Sequence, residues 1–261
     1  MSPQYAAELE RIRAALEAAG TLLRRFTPGD VAARFKAGDD PVTEADTQLD
    51  ALLREALPRE GEGWLSEETE DDPARLACRR VWVVDPLDGT REFVQGIPEW
   101  CVSVGLVEDG RPVAGGLLNP AAGELILGAM GQGVTRNGEP VAVSTCTTLQ
   151  GARVVASRSE GKRGEWEGYL PGLFDIVPTG SVAYKLGLVA TGQADATWTL
   201  TPKHEWDVAA GCALVLAAGG ALVPGHTDER RFNRPHPKLS KLIAAPSALV
   251  PEIEAEIRRR G

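Results

Sequence analysis

Apolar residues at Leu9, Ile12, Leu16, Ala19 and Leu23 recur at helical spacing and predict a first amphipathic helix, with Pro3 at a position the first turn tolerates. A second helix is expected from Thr43, with Leu49, Leu52, Leu53 and Ala56 facing inward and a stop before Pro58. The pattern then changes. Val81-Trp-Val-Val84 is an unbroken apolar run ending at Asp85, which reads as a buried strand. Val102–Val107 and Pro112–Leu118 flank Glu108-Asp109-Gly110 and predict a hairpin; Glu124–Leu127 follows the turn Asn119-Pro120, and Asn137-Gly138 marks another reversal. After Gly151 strands alternate with helices: strands at Ala152–Ala156, Asp175–Val177, Ala194–Leu200, Ala221–Val223 and Lys241–Ala244, helices at Ser181–Thr191, Glu205–Ala218 and Ser247–Arg260. The expected organisation is an N-terminal α+β half over residues 1–148 and a C-terminal α/β half over residues 149–261.

Composition narrows the function classes. With 28 Lys and Arg against 37 Asp and Glu the net charge is −9, which argues against a nucleic-acid polymer as partner, since that calls for a basic face. It leaves a small phosphorylated molecule open, because a bound metal reverses the local sign. The longest uncharged run, Val208–Thr227, is broken by Gly211, Gly219, Gly220, Pro224 and Gly225, and reads as a buried helix, a turn and a strand rather than a membrane span. Residues 3–25 show an amphipathic pattern with no continuous apolar stretch, so no signal peptide is expected and the cytoplasm is the expected compartment. Cys78, Cys101, Cys146 and Cys212 form no CxxC pair and are expected to be reduced core thiols.

The most informative segment is Trp82-Val-Val-Asp85-Pro86-Leu87-Asp88-Gly89-Thr90. A strand delivers Asp85, a turn delivers Asp88 three residues later, and Gly89 permits a backbone that side chains would block. Two carboxylates at that spacing can flank a hard divalent cation, with the Leu87 carbonyl as a further oxygen ligand. If a helix starts after Gly89, the amides of Gly89 and Thr90 make an anion site at its positive end. The same segment also reads as a solvated Asp-rich β-turn. Two other phosphate-handling arrangements fail: a haloacid-dehalogenase pair needs one residue between its aspartates, and no GxxxxGK[ST] loop is present.

Three further acidic segments stay ambiguous singly. Ser66-Glu67-Glu68-Thr69-Glu70-Asp71-Asp72 suits a solvated surface run, although Trp64-Leu65 before it would anchor Ser66-Glu67 near a core edge. In Asp40-Pro-Val-Thr43-Glu-Ala-Asp46, Asp46 suits a capping box with Thr43, which does not exclude a catalytic role. In Glu205-Trp206-Asp207-Val-Ala-Ala-Gly211, an N-cap role alone would explain Asp207.

In this order, and joined by Gly180-Ser-Val-Ala-Tyr-Lys185 through Asp195, the four motifs span residues 40 to 220 and resemble the inositol monophosphatase family of magnesium-dependent phosphatases. The resemblance implies a layered α-β-α-β-α fold like that of fructose-1,6-bisphosphatase, commonly a homodimer. It also implies two or three Mg²⁺ ions: Glu67, Asp85 and the Leu87 carbonyl on one, Asp85, Asp88 and Asp207 on a second, and Glu67 assisting a looser third. Asp46 would bond Thr90, and that pair with Glu67 would orient and activate the attacking water. Gly89 and Thr90 would receive the phosphate, with Gly180 and Ser181 also on the substrate side. No covalent phosphoenzyme is implied, so His204, His226 and His236 carry no nucleophilic duty; His204, close to Asp207, reads as a rim histidine.

For substrate, Arg91-Glu92-Phe93 and Ala156-Ser157-Arg158-Ser159 resemble the branch hydrolysing 3′-phosphoadenosine 5′-phosphate more than the inositol branch. Arg158 then becomes a candidate for a second phosphate, which arginine binds bidentately, or else an ordinary exposed loop residue. The expected activity is a Mg²⁺-dependent 3′(2′),5′-bisphosphate nucleotidase. The alternatives are an inositol-1-phosphate, histidinol-phosphate or sugar-phosphate phosphatase, and a catalytically silent metal- or phosphate-binding regulator. Against the silent regulator stands the complete set Asp46, Glu67, Asp85, Asp88, Thr90 and Asp207.

Overall fold

A computed structural model of the chain describes residues 4–35, 41–170, 172–224 and 231–260. Pro3, Asp40 and His226, singled out above, lie outside the described residues. The first half comprises helix α1 (Ala6–Leu23), strands β1 (Ala33–Phe35) and β2 (Pro41–Thr43), helix α2 (Glu44–Ala56), strand β3 (Glu62–Ser66) and a 3₁₀ turn at Pro73–Ala77. Strand β4 (Arg80–Asp88), the short helix α3 (Thr90–Gln95) and strands β5 (Cys101–Glu108), β6 (Arg111–Asn119), β7 (Glu124–Ala129), β8 (Gly133–Arg136) and β9 (Glu139–Val141) follow. Strands β3 to β9 form one seven-stranded sheet in sequence order. Only the β3–β4 pair is parallel.

The remainder runs β10 (Arg153–Ser157), α4 (Arg158–Lys162), β11 (Asp175–Thr179), α5 (Val182–Ala190), β12 (Thr197–Thr199), β13 (Lys203–His204) and α6 (Glu205–Ala217). It closes with β14 (Gly220–Pro224), β15 (Lys238–Leu239), β16 (Leu242–Pro246) and α7 (Val250–Arg260). Strand alternation assigns each face of the large sheet its helices. Trp82, Val84, Val104 and Leu106 pack with Ile12 and Leu16 of α1 and Leu49 and Leu53 of α2. Val81, Val83, Leu117 and Ile126 pack with Leu186 and Val189 of α5 and Ala209 and Ala210 of α6. Beyond α5 and α6, Leu242 and Ala244 of β16 close that core, while Ile243 and Ala245 face Trp198, Leu249 and Ile253 on the far side. Five layers, α-β-α-β-α, result, as expected. Helix α6 reaches the sheet closely because β5 and β6 offer glycines: a Cβ on Gly105 would lie 2.8 Å from the Ala210 nitrogen, and one on Gly115 2.5 Å from its carbonyl oxygen.

The structure corrects some local expectations. Ala56 is exposed, and Leu57 takes the buried place at the end of α2, because the helix turns 100° per residue and only the latter falls on the sheet side. Strand β4 runs on through Asp88, and the β3 and α3 elements, which no periodicity long enough to score revealed, flank it. All four cysteines are free, yet only Cys101 and Cys212 are buried; Cys78 follows the 3₁₀ turn and Cys146 lies in the loop after β9, both partly exposed. Among the described residues no helix is long and apolar enough to cross a membrane.

Candidate active site

The site grows from the end of β4. Pairing with β5 is regular up to Asp85 and slips between Asp85 and Asp88, so the strand bulges where Pro86 and Leu87 interrupt the ladder. The Leu87 amide donates to Asp85 Oδ1 at 3.0 Å, closing a local turn. Gly89 then adopts φ +98°, and a Cβ there would come within 3.0 Å of the Glu99 carbonyl and the Trp100 side chain. Glycine is therefore required on two counts. Helix α3 begins at Thr90, and its first backbone bond is Phe93 N to Gly89 O, so the Gly89 and Thr90 amides precede the hydrogen-bond ladder. This is the geometry that the sequence anticipated for an anion site.

Glu67 arrives beside Asp85 through strand register. The parallel β3–β4 pair ends at Ser66 opposite Val84, and the Glu67 amide reaches the Val84 carbonyl at 3.4 Å. The start of the acidic run is anchored, while Glu70, Asp71 and Asp72 at its end are exposed, as a surface run would be. Ser66 and Thr69 hydroxyls each donate to Asp50 at 2.5 Å, and the Trp64 indole donates to Thr69 at 3.3 Å.

Asp46 caps its own helix with one oxygen and meets Thr90 with the other. Its Oδ2 accepts the Thr43 amide at 2.7 Å and hydroxyl at 2.6 Å, the capping box that starts α2. Its Oδ1 accepts the Thr90 hydroxyl at 2.9 Å, while Thr90 Oγ1 also stands 2.9 Å from the Leu87 carbonyl. A hydroxyl has one proton. Donated to the Asp46 carboxylate, it leaves the Thr90 lone pairs beside the Leu87 oxygen, an electron-rich corner suited to holding a water proton or a cation. Burial pushes the Asp46 carboxyl above its ordinary range, against the opposing pull of Thr43 and Thr90.

From the C-terminal half, α6 presents Asp207 in its first turn, where Oδ2 accepts the His204 amide at 2.9 Å. Helix α5 meets Asp88: its Oδ2 accepts the Ser181 hydroxyl at 2.6 Å and the Ala183 amide at 2.5 Å. Ser181 holds that place at φ +55°, an uncommon conformation for a non-glycine residue. Beneath it, the buried Lys185 ammonium donates to the Ser181 carbonyl at 2.9 Å, and desolvation lowers its pKa to about 8.

Glu67, Asp85, Leu87, Asp88, Gly89, Thr90, Gly180, Ser181 and Asp207 line one pocket of about 270 Å³. Burial, then the charges of Glu67, Asp88 and Asp207, raise the Asp85 carboxyl well above its ordinary value. Burial, then Asp88 and Glu67, do the same to Asp207, and burial raises Asp88. Four carboxylates with a carbonyl among them, all oxygen donors, fit a hard divalent cation such as Mg²⁺. Among the described residues no three His, Cys, Asp or Glu side chains already stand in a closed metal-holding arrangement. Asp88 and Asp207 each spend an oxygen on a backbone amide.

Arg158 is placed differently from the expectation that it meets a phosphate. Its guanidinium forks onto Glu99, with Nη2 2.8 Å from Oε1 and Nη1 on Oε2, and it lines a neighbouring groove instead of the acid pocket. Glu99 also accepts the Gly180 amide at 2.6 Å. The His204 ring lines the rim and stacks on Trp206 with centroids 4.4 Å apart. Sequence reasoning gave no role to Lys185, although it stands inside the Gly180 motif, and passed over Asp50 and Glu99, which no local pattern marks; Glu92, quoted only as a mark of substrate branch, also lines the pocket.

The family model described as "Inositol monophosphatase family" matches residues 6–259. The inositol-1-monophosphatase of Rhizobium meliloti (strain 1021) is 33% identical over 221 residues, covering 80% of this chain and 82% of the relative. Among solved structures, the inositol monophosphatase from Anabaena (Nostoc) sp. PCC 7120 superposes with a TM-score of 0.79 at 26% identity, covering 99% of this chain and 98% of the other. CysQ from Bacteroides thetaiotaomicron, described as a bacterial member of the same family, gives 0.76 at 25% identity, covering 93% and 98%. The chain belongs to the inositol monophosphatase family, a family of phosphatases that use Mg²⁺.

Proposed function

We propose that the protein hydrolyses a small phosphate monoester by direct attack of water, and that the ester is the singly phosphorylated hydroxyl of a polyol such as inositol 1-phosphate. The observation that carries the reading is the convergence of Glu67, Asp85, Asp88 and Asp207 on the pocket lined also by Thr90, whose hydroxyl Asp46 holds from behind. Glu67, Asp85, the Leu87 carbonyl, Asp88 and Asp207 would hold Mg²⁺, two or three ions in all. Bound there, the metal neutralises phosphate charge and makes water more acidic. Thr90, oriented by Asp46, and Glu67 position the attacking water and take its proton. The Gly89 and Thr90 amides bind phosphate oxygens at the head of α3. Gly180 and Ser181 form the wall facing the leaving group. The N-terminal half to residue 148 supplies most of the machinery, and the half from 149 supplies Asp207 and that wall. A homodimer, whose test is light scattering, completes the reading.

The pairing of Arg158 with Glu99 favours the singly phosphorylated ester as first choice. To serve a second phosphate Arg158 would have to leave Glu99, exchanging one partly buried bidentate pair for another. A second reading keeps 3′-phosphoadenosine 5′-phosphate, because Ser157 and Ser159 on either side of Arg158 do line the pocket.

Phosphate release is measured with inositol 1-phosphate, 3′-phosphoadenosine 5′-phosphate, histidinol phosphate and fructose 1,6-bisphosphate, each with Mg²⁺ and with EDTA. Mg²⁺-dependent turnover of inositol 1-phosphate at the highest kcat/KM supports the proposal; a bisphosphate preference moves the assignment to the second reading. No turnover of any ester with Mg²⁺ refutes a phosphatase and leaves the silent regulator.

A further inference from the structure

Glu67 and Asp207 come from different halves of the chain and line the same pocket. What holds them at their separation is not in the pocket. Asp71, four residues after Glu67, bonds the Arg75 guanidinium through both oxygens, at 2.6 and 2.8 Å. Arg75 is 2% exposed and packs on β3, where a Cβ at Gly63 would come within 3.0 Å of its own Cβ. The remaining guanidinium donors cross to the C-terminal half: Nη1 to Asn233 Oδ1 at 2.7 Å and Nη2 to the Arg234 carbonyl at 3.0 Å. Asn233 answers with its side-chain amide on the Arg75 carbonyl at 3.1 Å.

Asn233 sits at φ +60°, which turns its own amide and that of Arg234 the same way. Both donate to a single carboxylate, Glu205, at 2.7 and 3.1 Å. Glu205 is fully buried, and its amide is tied to the Pro237 carbonyl at 2.9 Å. It stands two residues before Asp207 on the first turn of α6. The connection therefore runs from the segment carrying Glu67, through Arg75 and Asn233, to the turn carrying Asp207. None of Arg75, Asn233 or Glu205 lines the pocket.

We infer that Arg75, Asn233 and Glu205 are positioning residues: a buried strap that sets the separation of Glu67 from Asp207 and so the affinity of the acid pocket for a divalent cation. The two acids repel each other when no cation lies between them, and separate backbone elements would let them drift apart. The strap opposes that drift with partly buried hydrogen bonds, those of the Arg75 guanidinium to Asp71, Asn233 and Arg234 being charge-assisted. Its residues act on the cation only through the carboxylates, as outer partners of metal ligands do, and loss of such partners costs about 10–100-fold in metal affinity.

The inference rests on the proposed metal-dependent reading, and the test separates the two. Mg²⁺ binding to the metal-free protein is measured by titration calorimetry, alongside Tm, for wild type, Glu205→Gln and Asn233→Gly. Glycine keeps the positive φ and removes only the side-chain bonds. Asn137→Gly is the control: Asn137 also has positive φ and bonds the Leu125 amide at 2.8 Å and the Gly123 carbonyl at 2.9 Å, on the β8–β9 turn away from the pocket. We expect Glu205→Gln and Asn233→Gly to weaken Mg²⁺ about tenfold or more. Asn137→Gly should lower Tm with Mg²⁺ affinity within twofold of wild type. Strap variants that bind Mg²⁺ like wild type, or a control that weakens it equally, overturn the inference alone. A wild-type protein that binds no Mg²⁺ overturns it together with the metal-dependent function.

Discussion

Replacing Thr90 by valine preserves the shape of the side chain and removes its hydroxyl, so no cavity opens and the head of α3 keeps its packing. Two things are lost. Asp46 Oδ1 loses the donor at 2.9 Å, while its Oδ2 keeps both bonds to Thr43. A buried carboxylate oxygen left without a donor costs about 1–3 kcal/mol. At about 2–4 °C per kcal/mol for a chain approaching this size, Tm should fall by roughly 2–12 °C. The catalytic loss should be larger than stability explains, because a group that positions and deprotonates water contributes about 10²–10⁴ in rate. Steady-state kinetics with saturating Mg²⁺, at a temperature well below both melting points, separates the two effects. Thr90→Ser, which retains the hydroxyl, should recover activity to within about tenfold. The Tm deficit of the valine variant should shrink as the pH falls, since Asp46, already raised by burial, then takes up a proton that relieves the orphaned charge. A valine variant within threefold of wild-type kcat, or a serine variant as inactive as valine, would show that the hydroxyl does not act on the water.

Asp85→Asn should abolish detectable turnover, a loss of about 10³-fold or more, while the metal-free protein melts no lower than wild type: an amide oxygen still accepts the Leu87 amide, and one of four repelling charges is gone. In metal-free wild type, Asp85, Asp88 and Asp207 have folded pKa values raised above the ordinary 3.8. The folded chain therefore holds more protons than the unfolded one, and stability should fall as the pH rises through that window. Calorimetric Tm in EDTA should accordingly drop from mildly acidic to neutral pH, and 10-mM-scale Mg²⁺ should flatten the slope by filling the role of the protons; a metal-free slope of opposite sign would refute the assignment of shared charge. Arg158→Ala should change kcat/KM for inositol 1-phosphate by less than about threefold, because the guanidinium is engaged with Glu99, whereas a tenfold or greater loss confined to the bisphosphate would favour the second reading.

The Asp85–Thr90 segment was legible because everything it needs is local. Two acids three residues apart, a proline and a glycine with positive φ constrain one another through the backbone, and the strand-to-helix corner follows from them. The unbroken apolar run Val81-Trp-Val-Val84 likewise announced a buried strand. Glu67 was legible only by family likeness. Its place beside Asp85 depends on a parallel register between β3 and β4, which a five-residue strand does not declare. Arg158 shows the converse: its sequence context suggested a phosphate, and its partner lies 59 residues away in Glu99, where no local pattern reaches.

From residue order alone came the candidate chemistry: hard oxygen ligands, a turn suited to phosphate, and a net charge of −9 that argues against a nucleic-acid polymer. Tertiary structure decided which acids share a pocket, which oxygens are already spent on Ser181, Ala183 and His204, and how the Glu67 side is tied to the Asp207 side through Arg75, Asn233 and Glu205. The division has a physical cause. Backbone conformation and side-chain chemistry act over a few residues and are written along the chain, whereas burial, repulsion between carboxylates and hydrogen bonds between distant segments exist only after the chain has folded and excluded water.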